Sequence, residues 1–103
     1  MNKIIVTGRL IDNPTFQIDK TGRQLCRFRI AINHGKKKTT FINVVTFREL
    51  AERCQKVLQK ASKVLIDGKL DYHTKDKKEY YSIQVDTIDF LDSLRKNDET
   101  TES

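Results

Sequence analysis

The chain has 103 residues, 37% apolar and 33% charged, with 20 Lys and Arg against 14 Asp and Glu. That suffices for one small domain, and apolar runs as short as Ile4-Ile5-Val6 exclude a membrane-spanning helix of about 20 apolar residues. Two cysteines in unrelated contexts, Cys26 and Cys54, give no disulfide framework and point to a reducing, cytoplasmic compartment.

Lys3 to Leu10 reads as a first strand. Gly8 lies inside it, and a strand glycine marks a bulge or a sharp bend of the kind small barrels need at corners. Asp12-Asn13-Pro14 is a turn signal. Thr15 to Ile18 reads either as a short strand or as a continuation of the first. Lys20-Thr21-Gly22 is a second turn. From Cys26 to Asn33 the alternation is clear: Cys26, Phe28, Ile30 and Ile32 share one face, and Arg27, Arg29, Ala31 and Asn33 the other. The two arginines stand about 7 Å apart, close to the spacing of successive phosphates. His34 to Lys38 is a loop holding Lys36, Lys37 and Lys38.

A third long strand runs from about Thr40 to Phe47, with Phe41, Asn43, Val45 and Phe47 on one face. Its other face, Ile42, Val44 and Thr46, is no more polar, so pattern alone does not separate inside from outside. Arg48 to Ala61 reads as a helix, because Leu50, Cys54, Val57, Leu58 and Ala61 recur at helical spacing. Cys54 is expected to be a small buried apolar group. Lys63 to Tyr72 is the next strand, with Gly68 inside it. Thr74 to Lys78 is a basic hairpin tip carrying Lys75, Lys77 and Lys78. Glu79 to Leu91 is the last strand. Tyr81, Ile83 and Val85 alternate, then Ile88 and Phe90 take the other parity, which predicts a bulge near Asp86. Residues 1–91 thus form one domain and 92–103 a short acidic tail, expected to be disordered. The element order, three strands, a helix and two strands, is that of an all-β, five-stranded Greek-key OB barrel with one helix between strands 3 and 4.

Charge is unevenly placed. Residues 1–85 hold 18 cations and 8 carboxylates, residues 86–103 hold 2 and 6. A basic body points to a polyanion. No phosphate-cradling glycine motif, metal-ligand spacing or local catalytic constellation is present, so neither a cofactor, a metal nor an enzymatic activity is expected. Basic residues interleaved with Phe41 and Phe47 suit unpaired bases, which stack on exposed rings while cations follow the phosphates. Taken alone, the two phenylalanines fit a core role better, since phenylalanine is mostly buried.

The segments Asn2 to Leu10, Cys26 to Asn33, Phe41 to Arg48, Leu50-Ala51-Glu52 and Ile66 to Leu70 together resemble the bacterial single-stranded DNA-binding protein family, in register over about residues 2–91. The resemblance implies an OB fold, a homotetramer with a dimer as the other possibility, and sequence-tolerant binding of single-stranded DNA in replication, recombination and repair. It implies base stacking by Phe41 and Phe47 and DNA-facing positions for Arg27 and Arg29. Lys3 and Lys60 match basic positions of the family, and Asn43 and Arg48 fall within its third-strand segment. Lys36, Lys37 and Lys38 replace a longer loop that usually carries an aromatic.

Three departures stand out. Lys75 sits where many members carry an aromatic, and Tyr72 is one residue out of phase, so it is expected to pack inside. Tryptophan is absent. The chain closes Asp98-Glu99-Thr100-Thr101-Glu102-Ser103 without the family's apolar anchor, so no recruitment of other proteins through that tip is expected, and a tailless accessory or mobile-element type is indicated. The tail is expected to fold back on the basic groove and compete weakly with DNA. The alternative is a dimeric interaction module like primosomal replication protein N, which shares the size and the fold.

Overall fold

The computed structural model describes residues 1–92, in the order β1 (Ile4–Leu10), β2 (Thr15–Ile18), β3 (Gln24–Asn33), β4 (Thr39–Phe47), α1 (Arg48–Val57), β5 (Lys63–Lys75) and β6 (Lys78–Phe90). Neighbouring strands follow as β1-β5-β6-β4-β3-β2. β1 also pairs with β3 through Arg9↔Ala31 and Leu10↔Ile30, which closes β1, β5, β6, β4 and β3 into a barrel. β2 lies outside that ring and pairs with β3 alone, so the segment left open in the sequence is a separate short strand. β4 and β6 run parallel, from Asn43↔Ser82 to Val45↔Gln84, and every other pairing is antiparallel. This is the expected five-stranded OB barrel, with its helix between the third and fourth barrel strands.

Alternation decides which side chains fill it. Cys26, Phe28 and Ile30 of β3 are buried, while Arg27 and Arg29 between them are exposed. On β4 the ambiguity resolves with Val44 and Thr46 inside and Phe41, Asn43, Val45 and Phe47 outside. Thr46 is fully buried because its hydroxyl donates to the Cys26 carbonyl at 3.2 Å, which satisfies a polar group that burial would otherwise penalise. Ala51, Cys54 and Leu58 from the helical segment join the barrel core. Burial pushes the Cys54 thiol up to about 12, as befits a packing residue.

The barrel closes through two tight places. A Cβ on Gly68 would overlap the carbonyl oxygen of Gln84, and one on Gly8 would stand 2.8 Å from the carbonyl oxygen of Ala31. Asp67 faces Thr87 while Gly68 faces Val85, so Asp86 is the extra residue, and the predicted bulge is present there.

Two expectations fail. The helix ends at Val57 rather than Ala61: Leu58 is already extended (φ −84°, ψ 147°) and Ala61 is left-handed (φ 77°). The chain is turned there by Gln59 N–H donating to the Ser62 hydroxyl and Ala61 N–H donating to the Leu10 carbonyl. Tyr72 is not inside. It is 50% exposed, because β5 and β6 run on past the barrel as a two-stranded arm with no opposite wall. The arm ends in a two-residue turn, Asp76 (φ 53°) and Lys77 (φ 67°), whose two positive φ values match the twist of a tight hairpin. Beyond Asp92 the expected acidic tail lies outside the described residues. Asp92 itself accepts from the Lys63 N–H at 3.1 Å and pairs with Arg9 at 3.3 Å.

Candidate nucleic-acid interface

The outer faces of β3, β4 and β6 and the arm enclose an open groove of about 690 Å³. Register builds it. Outward residues Arg27 and Arg29 lie opposite Val45 and Asn43, and Asn43 lies opposite Ser82. Phe47 closes one end beside the β2–β3 turn. The arm supplies His73 and Tyr80.

The cations are placed against the rings. The Arg23 guanidinium carbon is 4.3 Å from the Phe47 ring centre, and that of Arg29 is 5.5 Å from the Phe41 ring centre. Arg23 is itself held: its Nε donates to Asp19 Oδ2 at 3.1 Å, while Asp19 Oδ1 accepts from the Thr21 hydroxyl and from the N–H groups of Thr21 and Arg23. These bonds, the Thr21 hydroxyl first, lower the Asp19 carboxyl to about 2. Phe41 is 50% exposed and Phe47 half-buried, so both rings present area to solvent.

The residues singled out in the sequence divide into groups. Arg27, Arg29, Asn43 and Phe47 meet in the groove, with Phe41 beside Arg29. Lys36, Lys37 and Lys38 are exposed in the β3–β4 loop, and Lys75, Lys77 and Lys78 are exposed at the arm tip. Arg48 opens α1 with a left-handed backbone (φ 59°) and does not line the groove. Lys60 sits in the turn after α1, its N–H donating to the Asn13 side chain at the groove margin. Lys3 is elsewhere: it lies 2.9 Å from Asp67, across the β1–β5 pairing, and the bond to that carboxylate raises its pKa. The groove also contains Arg23, His73 and Tyr80, which sequence reasoning passed over. The Tyr80 signal was present, since Tyr80 falls on the opposite parity to Ile83 and Val85, which are buried in the core. Among the described residues no three His, Cys, Asp or Glu side chains gather as metal ligands, and no helix is long and apolar enough to cross a membrane.

The molecule is therefore an OB barrel with a cationic, aromatic groove on its outer face. The profile of the single-strand binding protein family matches residues 1–91. A single-stranded DNA-binding protein of Staphylococcus aureus is 31% identical, over 95% of this chain and 70% of its own length. One from Bacillus cereus is 31% identical, over 89% of this chain and 61% of its own length. The crystal structure of the single-stranded DNA binding protein from Thermus aquaticus superimposes with a TM-score of 0.77 at 21% identity and shares the fold. It covers 98% of this chain, which spans 46% of that longer one. The chain belongs to the single-strand binding protein family. That membership favours the resemblance read from the sequence over the primosomal alternative.

Proposed function

We propose that this protein binds single-stranded DNA with little dependence on sequence, as a non-catalytic protector of exposed strands in replication, recombination or repair. The observation that carries the reading is the convergence of Arg23, Arg27, Arg29 and the Phe47 ring in one groove, with Phe41 beside it. Unpaired bases have free faces to stack on such rings, and the arginines neutralise the phosphates between them. Duplex DNA hides those faces. The names of the relatives support single-stranded DNA as the ligand.

The proposed assembly is a homotetramer, acting in the cytoplasm or nucleoid. β1 supports self-association: from Ile4 to Gly8 it pairs with β5 on one side only, since its pairing with β3 is confined to Arg9 and Leu10. An open strand edge next to the exposed Ile5 is a template for a second chain.

The test is anisotropy of labelled oligo-dT, oligo-rU and duplex DNA at two salt concentrations, with light scattering for mass. Tight, salt-sensitive binding of oligo-dT with weak duplex binding is expected, at the mass of four chains. Duplex held as firmly as oligo-dT overturns the ligand, and a dimer overturns the assembly.

A further inference from the structure

The arm carries a second set of rings in the groove. His73 faces Tyr80 across β5–β6, with ring centres 5.4 Å apart and planes 21° from parallel. One pair nearer the barrel, Asp71 faces Ser82, which in turn faces Asn43 on β4. Directly opposed residues share a sheet face, and all five line the groove. The arm's opposite face is different: Tyr72 and Tyr81 tilt at 45° to each other, and their hydroxyls reach Glu79.

We propose that the His73–Tyr80 stack is a base platform, and that Asp71 beside it reads the edge of the stacked base, favouring cytosine over thymine. The inference rests on the single-stranded DNA reading above and names a subsite within it. A paired stack holds each ring in place and offers a flat face, the requirement for base stacking. Asp71 lies about 7 Å along the strand from His73, within reach of the edge of a base lying on the rings.

A carboxylate in a groove for phosphates repels them, so its favourable partner there is a hydrogen-bond donor. Its Oδ1 accepts the Tyr72 N–H at 2.9 Å, and among the described residues its Oδ2 has no hydrogen-bond partner. Cytosine offers its N4 amino group to a carboxylate, whereas thymine presents O4 at that place, an acceptor facing an acceptor. In an unpaired strand that edge is free.

The experiment compares oligo-dC and oligo-dT binding by anisotropy in the full chain and three variants. Asp71→Asn keeps the side-chain oxygen that accepts the Tyr72 N–H, so the strand is preserved. It should tighten oligo-dT by removing a negative charge and lower the dC-to-dT affinity ratio by about fivefold. Tyr80→Ala should weaken oligo-dC by about tenfold, and Tyr80→Phe, which keeps the ring, should retain parental binding. An unchanged ratio in Asp71→Asn overturns the reading of the base edge. Parental affinity in Tyr80→Ala, or an equal loss in Tyr80→Phe, overturns the platform. A parent that binds neither oligonucleotide overturns the single-stranded DNA reading and the subsite with it.

Discussion

The Arg23 guanidinium carbon stands over the Phe47 ring, 4.3 Å from its centre, and Arg23 Nε is held by Asp19 Oδ2 at 3.1 Å. The gap over the ring admits no base, so a base stacking on this face of Phe47 takes the guanidinium's place and sends the charge towards a phosphate. On the proposed function, the expectation is that Arg23 is released onto the strand on binding. Arg23→Ala should make the salt dependence shallower by about 0.7 in the slope of log K against log salt, the share of one single-strand phosphate. Lys3→Ala should leave the slope unchanged, because Lys3 lies off the groove against Asp67. Salt titrations of both variants against oligo-dT check this; equal slope changes would assign the groove wrongly.

Phe41 and Phe47 should each contribute about 1–3 kcal/mol to binding, roughly 5- to 150-fold on replacement by alanine. The stability costs should differ. Phe41 is 50% exposed, so Phe41→Ala should leave Tm near the parent value, while the half-buried Phe47 should lower it. Oligo-dT affinity and thermal melting, measured together, separate stacking from packing. Undiminished affinity in both variants contradicts the stacking role.

How far the sequence could be read followed how local each determinant is. Strand β3 was legible from Cys26 to Asn33 because period-2 alternation is a property of neighbours, though it begins at Gln24, where Leu25 and Cys26 are both buried and break that alternation. The parity change after Val85 located the bulge at Asp86. The end of α1 was not legible. Leu58 and Ala61 continue the helical spacing, but Leu10 and Ser62, distant or downstream, turn the chain away. Tyr72 was misplaced for a related reason: its face is the inward one, yet the wall it would meet stops short of the arm. Arg23 was missed because nothing in the sequence places a turn residue over a ring on another strand. Lys3 stands at a basic position of the family, and only the fold shows Asp67 beside it.

Gly68 should be the least replaceable position in the barrel. The added methyl of Gly68→Ala meets backbone, the carbonyl of Gln84, and backbone cannot swing aside as a flexible side chain can. The bulge at Asp86 fixes this approach, so relief requires a shift of the β5–β6 register. The expected loss is more than about 2 kcal/mol. Gly8→Ala should cost less, its contact with Ala31 being longer. Chemical denaturation of both variants checks the ranking, and a Gly68→Ala protein as stable as the parent contradicts the close approach.

Asp19 should make the β2–β3 turn acid-sensitive. Its carboxyl sits near 3.8 in an unconstrained chain and at about 2 here, lowered by hydrogen bonds from the Thr21 hydroxyl and from the Arg23 and Thr21 backbone, and by Arg23 Nε. The folded pKa is the lower one, so the unfolded chain binds the proton more readily. The carboxylate's contribution is therefore complete above about 4 and disappears as pH falls towards about 2. Asp19→Asn lacks that charge at every pH. The parent should melt above the variant at neutral pH, and the gap in Tm should narrow between about pH 4 and about pH 2. Oligo-dT affinity near neutral pH should rise in the variant, since Arg23 is no longer held over Phe47 by Asp19 and a negative charge near the groove is gone. A gap in Tm that stays constant down to about pH 2 would show that Asp19 holds no depressed carboxyl in this turn.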